Sequence, residues 1–253
     1  MARGWEKWVA FGDNHGNLVC RNSRDALLKF IKHWKPKHRI HVGDCFDFAA
    51  LRRGVGVEDS EAYDDLESDL VAGFLFWEAT KPTALLLGNH DARLWNVAKS
   101  SASQLKRIAA NDLIKRIEKQ ARRTKTKLLP YHYDKGVYRL AQGRLAFVHG
   151  YTANMNSVSQ QATHFGEGKG GGVVMGHLHR VEMQNGKRHA GTRGWSIGCM
   201  ADFSQMAYCS HRLATAQWQN AFAFGVVKGN QFITWVATRT GDKWILPTGV
   251  EEF

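Results

Sequence analysis

The chain has 253 residues, 43% of them hydrophobic, with 9 Trp and 13 Phe, enough for a sizeable core and for one domain spanning residues 1–253. Its 35 Lys and Arg against 23 Asp and Glu give a net charge of +12, the balance of a protein that meets polyanions, nucleic acid first among them. No run approaches the ~20 apolar residues of a membrane span, no apolar leader follows Met1, and Cys20, Cys45, Cys199 and Cys209 lack disulfide-scaffold spacing, so a cytoplasmic protein with reduced thiols is expected (in a host's cytoplasm if virus-encoded).

In chain order, an apolar run at 8–11 reads as a strand and ends in Asp13-Asn14-His15. Leu27, Phe30, Ile31 and Trp34 share one face of a helix, with Ser23 placed to cap it and Pro36 to stop it. Residues 39–42 form a second strand that ends in Gly43-Asp44-Cys45-Phe46-Asp47, so the opening is a βαβ unit. An acidic stretch at 58–69 then leads into a helix carrying Leu66, Leu70, Phe74 and Trp77. Acid residues favour a helix start, which explains Glu61 and Asp64 without a metal role.

A third strand at 84–87 ends in Gly88-Asn89-His90-Asp91. The segment 92–130 reads as a helical insertion capping the site, with Leu105, Ile108, Leu113, Ile114, Ile117 and Ala121 at helical spacing. It is strongly basic. Arg93, Lys106, Arg107, Lys115, Arg116, Arg122 and Arg123 are candidate contacts to a phosphate backbone, which such side chains track without reading sequence.

Residues 137–140 and 144–148 form a hairpin around Gln142-Gly143 that runs out into His149-Gly150. The glycine-rich 166–172 reads as a mobile turn near substrate, and the strand 173–175 ends in Gly176-His177-Leu178-His179. Three tail strands follow, at 192–197, 221–227 and 231–238, the last two joined at Gly229-Asn230. Their aromatics (Trp195, Phe222, Phe224, Phe232, Trp235) and Trp218 could stack bases, but most of them are expected to fill a second sheet. His33, His38, His41, His132, His164, His189 and His211 read as surface or packing residues, and Cys45 as a packing residue.

Five times, then, an apolar strand runs out into Asp, Asn or His. Rigid strand ends can aim such groups at one point. Carboxylate and amide oxygens mixed with imidazole nitrogens suit Mn, Fe, Zn or Ni better than Ca or Mg. A shared carboxylate could hold two such ions roughly 3.5–4 Å apart, the spacing of two-metal phosphoryl chemistry.

The ordered blocks D-x-H, G-D-x-x-D, G-N-H-D, H-G and G-H-x-H, from Gly12 to His179, strongly resemble the calcineurin-like metallophosphoesterases. The resemblance implies an α+β fold, a four-layer αββα sandwich of two mixed β-sheets flanked by helices. It implies two divalent ions, Mn foremost, with Asp13, His15 and His179 on one, Asn89, His149 and His177 on the other, and Asp44 bridging. It also implies His90 as the catalytic histidine, with Asp91 orienting it and raising its pKa, and in-line attack by a metal-activated hydroxide. Phe48 and Asp91 depart from the protein Ser/Thr phosphatase branch, which has Arg and Glu at those places. The compact chain resembles phosphoesterases carried by bacteriophages. A nuclease or other phosphodiesterase acting on nucleic acid is therefore expected. The alternatives are a phosphomonoesterase for phosphoproteins or nucleotides, and a catalytically silent nucleic-acid-binding protein, which the complete ligand set disfavours.

Overall fold

Alternation along β1 (Glu6–Phe11) shows why two sheets form: all four of its last residues are fully buried, yet they enter two different cores. Trp8 and Ala10 pack into the cluster between the sheets, while Val9 and Phe11 pack under helices. The computed structural model describes residues 4–52, 65–100, 103–206 and 213–246. Glu61, Asp64, Cys209 and His211 lie outside the described residues.

The larger sheet runs β12-β11-β10-β1-β2-β3-β4. Its parallel half is β1, β2 (His38–His41), β3 (Ala84–Leu86) and β4 (Lys127–Leu129); its antiparallel half is β10 (Ala221–Lys228), β11 (Gln231–Thr240) and β12 (Lys243–Ile245). The smaller sheet runs β5-β6-β7-β9-β8, from β5 (Tyr138–Leu140), β6 (Leu145–Val148), β7 (Gly172–Met175), β8 (Val181–Asn185) and β9 (Arg193–Ile197). Here β6, β7 and β9 are parallel and the two edge strands antiparallel. Helices α1 (Arg21–Trp34), α2 (Leu66–Thr80) and α4 (Gln104–Thr124) cover the outer face of the larger sheet. Helix α5 (Ser157–Phe165) covers the smaller sheet through Val158, Ala162 and Phe165. The four-layer αββα sandwich is thus the observed architecture.

Several expectations change. Ser23 does not cap α1; it is buried inside the first turn, and the helix closes at Lys35, whose amide donates to the Ile31 carbonyl. Capping falls instead to Asp65 on α2, whose carboxylate accepts from the Glu67 amide at 2.9 Å. Strands β10 and β11 do not build a second sheet. They extend the first one beside β1, so Phe222 and Phe224 pack under Phe30 and Trp34 of α1. The glycine-rich turn enters β7 at its amino end, the edge opposite His177, and so is not near the metal-binding strand ends.

The basic insertion is a crossover rather than a cap. It contains α3 (Ala92–Lys99), α4 and β4, and β4 lies parallel to β3. Helix α4 must therefore return the chain from the carboxyl edge of the sheet to its amino edge. Its Leu113, Ile114 and Ile117 bury against Trp77, Leu85 and Leu87, placing it in the helix layer. Arg122 and Arg123 consequently sit at the far edge, where Arg123 pairs with Glu78, and Arg116 is held by Glu67 at 2.6 Å. Among the described residues no helix is long and apolar enough to cross a membrane.

Candidate metal centre

Every predicted ligand follows the carboxyl end of a parallel strand: Asp13 and His15 after β1, Asp44 after β2, Asn89 after β3, His149 after β6, and His177 and His179 after β7. Both sheets therefore empty their loops at one edge. Hydrogen bonds lock the first two loops together. The Asp13 amide donates to the Gly43 carbonyl at 2.8 Å, and His15 to Asp44 at 3.1 Å. Asn14 stitches from the side, donating to the Cys45 carbonyl and accepting from His41 Nε2 at 2.7 Å. Burial pushes the His41 imidazole down to about 3, which keeps that ring neutral and structural.

The loops bend through unusual backbone. Asp13, His15, Asp44, His177 and His179 all have positive φ, between 49° and 70°. Such conformations cost side-chain-bearing residues about 1–3 kcal/mol each and persist where surroundings over-determine them. Gly88 is required beside them, because a Cβ there would lie 2.1 Å from Asp44 Oδ1.

Three groups of ligand atoms converge, each within 4.8 Å: Asp13, His15 and His179 in one, Asp44, His149 and His177 in another, and His15, Asp47 and His90 in the third. His15 Nε2 lies 3.1 Å from His179 Nε2, which is 3.3 Å from Asp13 Oδ1. His149 Nε2 faces Asn89 Oδ1 at 2.8 Å and Asp44 Oδ2 at 3.3 Å. Asp44 Oδ2 also stands 3.9 Å from His15 Nε2, between the first two groups.

The hydrogen bonds test whether cations fit. His149 Nδ1 donates to the Val42 carbonyl at 3.0 Å, and His15 Nδ1 to Asp47 Oδ1 at 2.6 Å. With their protons on Nδ1, both rings aim bare Nε2 lone pairs into the pocket. There they meet only oxygens and another imidazole. Asp13 Oδ2 is buried with no partner at all. Carboxylate oxygens and imidazole nitrogens gathered this closely call for positive charge between them, and the residues fit divalent cations.

In the metal-free chain that charge comes from protons. Burial opposes it, but the Asp47 hydrogen bond and the charges of Asp47, Asp44 and Asp13 raise His15 to about 9. His149 is also raised to about 9, where the charge of Asp44 overcomes burial. Both rings are protonated below that pH, so an arriving cation must displace protons. Metal affinity should climb as pH rises toward 9, with about two protons released per chain near neutrality. Calorimetric titration with Mn²⁺ or Zn²⁺ in buffers of different ionisation enthalpy measures this; uptake independent of pH would contradict it.

His90 stands at the rim, and its partner is not its neighbour Asp91. His90 Nδ1 donates to Asp47 Oδ1 at 2.7 Å, the same oxygen that receives His15 Nδ1. Asp91 lies wholly buried and accepts from the amides of Gly88 at 2.7 Å and Phe46 at 2.8 Å, tying the β2 and β3 loops. Nor is the His90 pKa raised: burial lowers it, against the pull of Asp44 and Asp47. Asp47 itself is held in place by Asp69, whose carboxylate accepts from the amides of Asp47 at 3.1 Å and Phe48 at 3.0 Å.

Arg93 reaches the same place from α3. Its Nη1 donates to the Asp47 carbonyl at 2.9 Å, and its Nη2 to His90 Nε2 at 3.3 Å. Phe48 stacks on Phe46 inside the core. Among the predicted backbone contacts, Arg93 is thus in the pocket, whereas Lys106, Arg107 and Lys115 are exposed on α4. Arg93→Ala should lower turnover of a phosphodiester about 10- to 100-fold, while Arg122→Ala and Arg123→Ala should leave it within about twofold. Steady-state assays on bis-p-nitrophenyl phosphate check the contrast. Cys45 is buried with its thiol toward the Gly73 carbonyl and is a packing residue. Trp218 is half-buried: it packs against Cys199, Ala201 and Met206 and on the His179 ring at 4.4 Å, and it lines a cleft of about 990 Å³.

No protein-family model matches the chain, and no curated protein matches it. Solved structures do. Vacuolar protein sorting 29 from Cryptosporidium parvum is 14% identical with a TM-score of 0.47, covering 98% of both chains. A conserved protein from Streptococcus pneumoniae, described as a predicted phosphoesterase, is 14% identical with a TM-score of 0.41, covering 100% of this chain and 99% of that one. A metallophosphoesterase from Sphaerobacter thermophilus is 13% identical with a TM-score of 0.46, covering 91% of this chain and 87% of that one. At such scores these likenesses assign no chemistry to this chain.

Proposed function

We propose that this chain is a dinuclear-metal phosphodiesterase that hydrolyses the nucleic-acid backbone. The supporting observation is the convergence of Asp13, His15, Asp44, Asn89, His149, His177 and His179, with His90 and Arg93 at the rim. Asp13, His15 and His179 would hold one divalent ion and Asn89, His149 and His177 the other, with Asp44 touching both. When bound, such ions neutralise phosphate oxygens and make a coordinated water acidic enough to act as a nucleophile near neutral pH.

The chain's own groups do the rest. Asp47 keeps one proton on His90 Nδ1, so Nε2 is the atom turned to the pocket; a second proton, taken up there from solvent, would pass to the leaving oxygen. The Arg93 guanidinium beside it places a permanent positive charge against a phosphate oxygen. The net charge of +12 favours a polyanionic substrate over a small neutral ester.

Supercoiled, linear and single-stranded DNA and RNA, incubated with Mn²⁺ and then with EDTA, provide the test. Metal-dependent cleavage of one of them, with turnover of bis-p-nitrophenyl phosphate, is expected. Hydrolysis of p-nitrophenyl phosphate alone would replace this reading with a phosphomonoesterase. Stable nucleic-acid binding without turnover by a sample shown to hold two ions would replace it with a binding protein.

A further inference from the structure

We infer that a path of aromatic side chains leading away from His149 binds single-stranded nucleic acid on one side of the cleaved bond. The inference rests on the phosphodiesterase reading of the centre. It begins with Tyr131, whose ring meets the His149 ring edge-on at 5.8 Å and stacks on Tyr151 at 5.2 Å, 25° from parallel. Tyr151 packs on Phe165 at 5.8 Å, and Phe165 on His164 at 4.6 Å. His164 then meets Tyr133 at 6.5 Å, and Tyr133 stacks on His132 at 4.9 Å. An unbroken succession of rings thus joins a proposed metal ligand to the protein surface.

Core packing accounts for Tyr131, Tyr151 and Phe165, but not for the outer rings His132, Tyr133 and His164. Phe165 is buried, but Tyr133 is 61% exposed, and His132 and His164 are exposed too. The half-buried rings are pinned by their hydroxyls: Tyr131 donates to the Gly150 carbonyl at 3.1 Å and Tyr151 to the His132 carbonyl at 2.8 Å. These fixed rings support the exposed Tyr133 and His164, whose surfaces a base can meet at little entropic cost. Tyr133, Tyr151, His164 and Phe165 line a hollow of about 500 Å³, and Lys187 and Arg188 line the same hollow. Flat aromatic faces beside cationic side chains are what an unpaired strand needs, since its bases stack on the rings while its phosphates meet the charges. A duplex keeps its base faces inside its own stack and cannot use the rings.

The test measures binding and cleavage by the full chain. Anisotropy of a labelled oligothymidylate of roughly 12 nucleotides is compared with that of a hairpin duplex of equal charge, in EDTA. The single strand should bind about tenfold more tightly, and Tyr133→Ala and His164→Ala should each weaken it about 5- to 100-fold. Tyr133→Phe should keep the affinity, because stacking needs the ring and not the hydroxyl. Lys187→Ala and Arg188→Ala should each flatten the salt dependence by about one phosphate contact. With Mn²⁺, the ratio of kcat/KM for the oligonucleotide to that for bis-p-nitrophenyl phosphate should fall in Tyr133→Ala. Equal single-strand affinity in wild type and both alanine variants, or an equal loss in Tyr133→Phe, overturns the path while leaving the metal centre standing. Failure of the wild-type chain to hydrolyse any diester overturns the centre itself. Tyr133 is largely exposed, so its truncation does not threaten the fold, and thermal melting of each variant verifies this.

Discussion

Asp44→Asn should abolish turnover and leave the chain unable to hold two divalent ions. Asp44 Oδ2 faces His149 Nε2 at 3.3 Å and His15 Nε2 at 3.9 Å, so one carboxylate oxygen serves both ligand groups. Its Oδ1 accepts from the His90 amide at 2.9 Å and holds the β3 loop. An asparagine keeps the shape but removes the negative charge, and its amide nitrogen either points two protons at the pocket or gives up the contact to His90. Losing a shared anionic ligand should lower kcat/KM by about 10³-fold or more, equivalent to at least ~4 kcal/mol. Metal content per chain and diester turnover measure the two effects. A variant that still binds two equivalents of Mn²⁺ and turns over normally would show that Asp44 bridges nothing.

Asp47→Ala should rank second, and its effect should divide in a particular way. One oxygen of Asp47 accepts from His15 Nδ1 and from His90 Nδ1, so a single substitution releases a metal ligand and the rim histidine together. Support of this kind is worth about 10- to 100-fold in metal affinity, and loss of a positioned proton donor about 10²- to 10⁴-fold in rate. Saturating Mn²⁺ should therefore recover the first loss and leave the second. The pH profile at saturation should also lose its acid–base inflection, a change that a merely loosened fold would not produce. Asp91→Asn offers the contrast. It touches the backbone amides of Gly88 and Phe46 rather than His90, so it should lower stability more than it alters the pH profile.

The exchange of Asp91 for Asp47 shows what a sequence can and cannot convey. The strand-end blocks were legible because each combines an apolar run with a polar turn, and all five reach one edge. Asp91 misleads because adjacency in the chain is not contact. It sits at the start of α3 with helical φ of −53° and ψ of −42°, where successive side chains diverge instead of facing each other. Asp47 lay within the G-D-x-x-D block, so a signal existed, but its aim depends on Asp69 holding the loop from another helix. Strand β4 was hidden for a related reason. Three residues, Lys127–Leu129, carry no period, and their neighbours read as the end of a basic helix. The cap expected at 92–130 dissolved once β4 joined the sheet, since a parallel partner obliges α4 to run back along the helix layer. The aromatic path was invisible because its rings come from separate loops and from α5, and only the folded chain sets them side by side.

Each candidate cation site draws ligands from both halves of the sandwich: Asp13 and His15 with His179, and Asp44 and Asn89 with His149 and His177. An ion held there is a rivet through the seam between two slabs that otherwise meet through apolar contacts and a few hydrogen bonds, such as His149 Nδ1 to the Val42 carbonyl and the His177 amide to Asp13 Oδ1. Fastening and reactivity are then vested in the same object. A chain stripped of its ions would gape first where it works, and the mouth of the sandwich would tighten as it became competent.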